Sequence, residues 1–338
     1  MKKFLAVAAV LVVFSALSVP CSAEDKVYKI EVLQVAKIEA FDKSYNEFLE
    51  TLKNGGIVKG KNLTIHRVII DYNIEGGGFM DKAGLYLKLR SEASRIADAK
   101  PDLAVTIGTP ATKYSRDKIT SAGIPLVFVA VAIPQAAGCK SLTDGGPGVT
   151  GATLYMDMKN ALKIVKAAFP TIKTIGMVSS EDENGIAHIQ EAKKNAPAFG
   201  MTVISKEVAK KDSILPALKA LKEQGAEAYA IPLDTYYGIK NYQNVNDLND
   251  YCRQNKIPII SFVFEHTKGA LLSVGTDFVT VGALGGQNAL KILKEGKKPE
   301  QLPVLKQEDL KIMVDTERMK ALEIQIPMAI LQLAKPAK

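Results

Sequence analysis

Histidine and cysteine are scarce in this chain, at three residues each, and none of the six stands where a metal or a nucleophile needs it. His66, His188 and His266 are scattered, and Cys21, Cys139 and Cys252 form no CxxC pair. Metal centres and thiol chemistry need such spacings, so no metal is expected. Phosphate-cradling and nucleophile-elbow motifs are missing as well. The run Gly76-Gly77-Gly78 lacks GxGxxG spacing, and the chain has no P-loop and no GxSxG. Carboxylates do gather at Glu181, Asp182 and Glu183, but nothing beside them completes an acid–base mechanism. These absences argue against an enzyme and call for no cofactor.

Arginine-rich clusters with interleaved aromatics are also lacking. The formal charge of +8 comes mostly from lysines spread along helical faces, such as Lys193-Lys194, Lys210-Lys211 and Lys297-Lys298. That is a solvated surface and not a nucleic-acid footprint. No low-complexity tract or solenoid repeat interrupts the 338 residues, of which 47% are hydrophobic and 24% charged. A chain of this size and balance has room for two medium globular units.

The N-terminus supplies the sharpest local signal. Lys2 and Lys3 precede an apolar stretch from Phe4 to Val19, then Cys21-Ser22-Ala23 ahead of Glu24-Asp25-Lys26. The apolar core is shorter than the ~20 residues that span a bilayer, and the pattern is that of a cleaved export leader ending at Ala23. Removing it takes away two lysines and no acids, so the charge falls from +8 to +6. Lipid attachment at Cys21 is the lesser alternative, because Ser18-Val19-Pro20 sits before that cysteine where a lipoprotein signal has leucine and small residues. Export makes a Cys139–Cys252 disulfide chemically possible; spacing does not decide it.

Beyond the leader, short β-branched runs alternate with amphipathic stretches. Strands are expected at Lys29–Val35, Leu63–Asp71, Leu103–Ile107, Pro125–Val129, Thr174–Val178, Met201–Ser205, Ala228–Ile231, Ile257–Phe262 and Ala270–Gly275. Helical periodicity fills most gaps between them, as in Phe41–Asn54, Leu85–Ala99, Asn184–Phe199 and Val279–Glu295. This alternation predicts an α/β fold of parallel sheets flanked by helices. Asn54-Gly55-Gly56 and Phe199-Gly200 read as glycine-terminated helix ends. The turn-rich segment Thr143–Gly148 suggests passage to a second α/β unit near residues 130–140, and a second crossing is expected near Ile260.

Several stretches, in order and spacing, resemble the type I substrate-binding proteins of ABC importers, in the branch associated with tryptophan and tyrosine uptake. They include Ala40-Phe41-Asp42, Gly60-Lys61-Asn62-Leu63, Lys100-Pro101-Asp102-Leu103, Ile107-Gly108-Thr109-Pro110-Ala111 and Ile124-Pro125-Leu126-Val127-Phe128. Gly148-Val149-Thr150-Gly151, Gly282–Leu293, Leu302-Pro303-Val304 and Leu322–Pro327 continue the match across nearly the whole mature chain. The resemblance implies two Rossmann-like lobes joined by a three-segment hinge, with a small molecule, such as an aromatic amino acid, held between them. It also implies an extracytoplasmic (periplasmic) monomer whose partners are an ABC permease and its ATPase. A ligand-sensing receptor on the same fold is the alternative. The lobes are expected at 27–134 plus 261–298 and at 135–260 plus 299–335, after a leader at 1–23. One stretch departs from the family pattern. Val131-Ala132-Ile133-Pro134 stands where the family has Val-Thr-Asp-Pro, so a carboxylate expected at the lobe junction is absent.

Ligands of open parallel sheets bind where strands end and helices begin. The loop Gly108–Thr112 offers a tight turn, the hydroxyls of Thr109 and Thr112, and first-turn amides around Ala111 suited to a carboxylate. Thr109 capping only its own helix is the plainer reading. Ser179, Ser180 and Asn184 occupy the corresponding loop of the second unit, where the acids also read as ordinary helix-start residues. Asp234 offers a partner for an ammonium and Tyr236 or Tyr237 an aromatic wall. Asp277, Phe264 and Gln34 complete the candidate set.

Overall fold

The computed structural model describes residues 26–70, 79–264 and 267–336. The leader with Cys21, the Gly76-Gly77-Gly78 run and His266 lie outside the described residues. The chain first builds β1 (Tyr28–Val35), α1 (Glu39–Asn54), β2 (Leu63–Ile70), α2 (Phe79–Ala99), β3 (Leu103–Ile107), α3 (Thr109–Ser121), β4 (Leu126–Val131) and β5 (Val149–Thr153). It continues with α4 (Met158–Ala168), β6 (Thr174–Ser179), α5 (Glu183–Asn195), β7 (Thr202–Glu207), α6 (Leu215–Glu223), β8 (Ala228–Ile231), α7 (Gln243–Asn255), β9 (Ile259–Ser261) and β10 (Ala270–Gly275). Last come α8 (Phe278–Glu295), β11 (Leu305–Lys306), β12 (Lys311–Val314), α9 (Thr316–Ala321), α10 (Met328–Leu333) and β13 (Lys335–Pro336).

Hydrogen bonding sorts these strands into two sheets, ordered β11-β5-β4-β3-β1-β2 and β13-β12-β10-β9-β8-β6-β7. Pairing is parallel throughout except between β10 and β12. The two-lobed α/β architecture expected from the alternation is therefore present. Its boundaries differ from the expected ones. Val149–Thr153, assigned above to the second lobe, pairs with β4 in the first sheet, and Ala270–Gly275, assigned to the first, pairs with β9 in the second. The chain accordingly crosses after Thr153, after Gly275 and after Lys306, and not near 130–140 and 260. β5 hides from a hydropathy reading because Val-Thr-Gly-Ala-Thr is small and weakly apolar. Gly151 is required there, since a Cβ would lie 2.3 Å from the Phe128 carbonyl oxygen.

Side-chain alternation on each strand feeds two cores per lobe. On β1, Ile30 and Val32 pack with α1 and α8, whereas Leu33 and Val35 pack with α2 and α3. In the second sheet Ile175, Met177 and Ala230 face one core, and Val178, Tyr229 and Ile231 the other. Cys139 and Cys252 are both free and buried, one in a first-lobe core and one in a second-lobe core. No disulfide links them.

Candidate ligand-binding site

A cleft of about 900 Å³ lies between the lobes, at the carboxyl ends of the strands of both sheets. Three neighbouring strands of the first sheet end in residues with positive φ: Ala36 after β1 (φ 64°) and Ala130 at the end of β4 (φ 58°), both on the cleft floor, and Gly108 after β3 (φ 94°), which leads into α3. Glycine adopts this conformation freely, but each alanine stores about 1 kcal/mol of strain. After β1 and β3 the chain turns into α1 and α3, whose first residues line the cleft.

The first-lobe wall centres on α3. Gly108 occupies the N-cap position, no side chain caps the helix, and Pro110 fills the first turn. Thr109 lies inside the helix and not at its cap, so the plainer reading of this residue fails. It lines the cleft while remaining 6% exposed, and its hydroxyl makes no hydrogen bond among the described residues. First-turn amides have no intrahelical acceptor, so this helix end presents free donors and a hydroxyl to an anionic group. Beside it the Phe41 ring rests on Gly108, whose Cβ would lie 3.2 Å from it, and stands 6.2 Å from the Phe278 ring. Both rings line the cleft.

The second-lobe wall is acidic and tightly tied. Asp234 accepts from the Ser180 amide (2.7 Å), the Ser180 hydroxyl (2.9 Å) and the Tyr236 amide (2.8 Å). Burial and the neighbouring Asp182 charge push its carboxyl above the ordinary carboxylate range. Asp182 in turn caps α5 through the Asn184 amide (3.0 Å) and accepts from the Thr235 hydroxyl (2.7 Å). Lys210, 9% exposed, donates to Thr235 Oγ1 at 3.0 Å and lies 3.8 Å from Asp182. The loops after β6 and β8 are thus stitched into one surface. Asn184 faces the cleft with a buried side-chain oxygen that has no partner among the described residues.

Of the candidates read from the sequence, Thr109, Asn184, Asp234 and Tyr237 line the cleft. The others do not. Gln34 is fully buried, donating to the Ala36 carbonyl (2.8 Å) and accepting from Arg67 (2.5 Å). Ala111 packs its methyl into the core, leaving only its backbone in the first turn of α3. Thr112 is held by the Gly108 carbonyl (3.1 Å) and Thr106 (2.9 Å). Ser179 and Ser180 are buried, the latter committed to Asp234. Tyr236 is buried with its hydroxyl donating to the Asp212 carbonyl, so Tyr237 supplies the cleft aromatic. Phe264 lies beneath Lys311, whose ammonium is 5.9 Å from its ring, and Asp277 caps α8 and pairs with the same lysine at a crossing.

Residues missed in the sequence are Phe41, Tyr114, Lys113, Lys210 and Phe278, while Glu183, weighed there as one of three loop acids, also lines the cleft. Phe41 was reachable, because the loop after β1 leads into α1 by the rule applied to other loops. Phe278 was not, since it starts a helix just after a crossing whose place was misjudged. Among the described residues no group of three or more His, Cys, Asp or Glu side chains is placed to hold a metal ion.

Behind the acidic wall, His188 accepts the Leu233 amide on Nδ1 (3.3 Å), which leaves the proton on Nε2. Burial lowers its pKa to about 4. The unfolded chain takes up a proton near 6.5 and the folded chain only near 4, so this group removes stability as pH falls between those values. Asp234 acts oppositely, adding stability as pH drops through its raised pKa. His188→Gln, which retains an acceptor, should keep up to about 3 kcal/mol more stability than wild type on going from pH 7.5 to 4.5. Urea melts at the two pH values read this; parallel losses in both proteins would refute it.

A family model described as ABC transporter substrate binding protein matches residues 29–338. The chain belongs to that family. A curated relative of this substrate-binding protein, the tyrosine-binding protein of Clostridioides difficile (strain R20291), is 26% identical over 299 residues, covering 88% of this chain and 81% of the relative. A ligand-free, open structure of a substrate-binding protein with adhesive properties from Clostridium difficile is 25% identical, with a TM-score of 0.72, covering 92% of this chain and 99% of the other. A Streptococcus pneumonia ABC domain in complex with L-Trp matches with a TM-score of 0.73 at 23% identity, covering 91% and 99%. That last likeness supports the fold.

Proposed function

We propose that this substrate-binding protein works outside the cytoplasm, trapping an amino acid with an aromatic side chain between its lobes and delivering it to an ABC permease and its ATPase. The observation that supports this reading is the pairing, inside one interlobe cleft, of an uncapped α3 N-terminus bearing Thr109 with the Phe41 and Phe278 rings. A carboxylate suits the helix end, and a ligand ring suits the aromatic pair. The acidic wall opposite, with the unpartnered Asn184 oxygen, suits an ammonium. Ile133 stands where the family pattern has its carboxylate, and the junction floor beside it is lined by Ala130 and Ala132, so on this reading the ammonium turns to the β6 and β8 loops. The tyrosine-binding relative supports the same ligand class. A ligand touching both walls favours the closed arrangement of the lobes.

Calorimetry with L-tyrosine, L-tryptophan, L-phenylalanine and L-leucine tests this directly. Aromatic amino acids should bind more tightly than leucine. Thr109→Val should weaken L-tyrosine binding by about 10- to 150-fold, the loss of one hydrogen bond to a charged group. Absence of binding by every amino acid would overturn the reading.

A further inference from the structure

We propose that Lys113 and Glu183 form a charged latch across the cleft, holding the lobes together around the ligand and setting how fast it leaves. The proposal rests on the ligand being held between the lobes. Lys113 stands one helical turn after Thr109, on the same face of α3 in the first lobe. Glu183 is the first residue of α5 in the second. The Lys113 ammonium lies 3.2 Å from each carboxylate oxygen of Glu183, and both residues line the cleft.

Geometry makes this pair different from the surface pairs within single helices, such as Glu50–Lys53 or Asp250–Arg253. Those pairs survive any movement of their lobe. Lys113–Glu183 joins elements connected only through the three crossings, so rotation of the lobes must break it. The side chains are 35% and 64% exposed, respectively, so both charges stay hydrated when the pair separates. Opening therefore leaves no buried orphan charge, and Glu183 keeps a favourable place at the α5 N-terminus. A pair of this kind contributes little and is screened by salt. That suits a contact that must be made and broken on each cycle. The acids around it (Glu181, Asp182 and Asp234) are tied to Lys210, Ser180 and Thr235 within their own lobe, which leaves Glu183 as the carboxylate that reaches across.

Release of radiolabelled L-tyrosine tests the latch. Lys113→Glu and Glu183→Lys should each speed release by about fivefold at low salt. The double reversal should restore the wild-type rate, and 1 M NaCl should erase the differences. A second readout needs no ligand: the distance between nitroxide labels on Lys118→Cys of α3 and Lys193→Cys of α5, both exposed positions. It should widen in either single reversal and return in the double. If wild type binds no amino acid, the ligand assignment fails while the label distances still judge the latch. Unchanged distances in the single variants, or no recovery in the double, would overturn it.

Discussion

Gly282→Ala is expected to destabilise the first lobe by about 3 kcal/mol, lowering its melting temperature by roughly 6–12 °C. The cause is backbone contact and not side-chain crowding. A Cβ at Gly282 would lie 2.2 Å from the Ser44 carbonyl oxygen and 2.9 Å from the Ser44 Cα. Neither atom can move unless α1 moves. Gly285 and Gly286 continue the close face, their added Cβ atoms falling 2.6 Å from Val129 Cγ2 and 2.7 Å from Thr51 Cβ. This stripe lets α8 lie directly on α1 and β4, and the Ser44 hydroxyl donates to the Phe278 carbonyl at 2.7 Å. Because the two helices carry Phe41 and Phe278 into the cleft, prising them apart should also weaken ligand binding. Gly84→Ala is the control. It lies in α2 with nothing within 4 Å of an added Cβ, so it should gain up to about 1 kcal/mol from helix propensity. Thermal melts of the two variants should move in opposite directions; a silent Gly282→Ala would mean that α8 slides freely on α1.

That glycine stripe shows which parts of the molecule were readable from residues alone. The interval from Gly282 to Leu293 matched the family, yet nothing in its spacing says which helix it approaches. Nine strand positions followed from their β-branched, mostly apolar runs. β5, β11, β12 and β13 did not, being short, polar or at sheet edges, and their omission displaced the crossings. The site divided along a similar line. Gly108 and Thr109 were legible because a tight turn and a first-turn proline have local sequence signatures. Ser180 and Asp234 were legible as polar loop residues but not as partners, since 54 residues separate them. Glu183 read as a helix-start acid and Lys113 carried no local signal, and only the tertiary fold sets them face to face across the cleft.

The Ser180–Asp234 pairing leads to the other large expected effect. Asp234→Ala should cost about 2–4 kcal/mol of stability and weaken L-tyrosine binding at least tenfold. Removing the carboxylate orphans two buried amides, those of Ser180 and Tyr236, each worth about 1–3 kcal/mol when left unpaired. The Ser180 hydroxyl loses its acceptor too but can turn toward another. Against that loss stands a gain, because burial and the neighbouring Asp182 charge hold the ionised group at a cost. The orphaned amides outweigh this relief, since they stay buried whatever the protonation state. Asp234→Asn separates the two contributions. It removes the charge and keeps the volume, but its amide can accept through one oxygen only, so the Ser180 amide at 2.7 Å and the Tyr236 amide at 2.8 Å cannot both be satisfied. Its stability should fall between wild type and alanine. Gly185→Ala approaches the same clamp from the other side, with a Cβ 2.3 Å from Asp234 Oδ2, and should weaken binding without changing any charge. If urea midpoints and L-tyrosine affinity stayed at wild-type values in Asp234→Ala, the loops after β6 and β8 would not depend on this carboxylate. The acidic wall would then be a surface without a fastening.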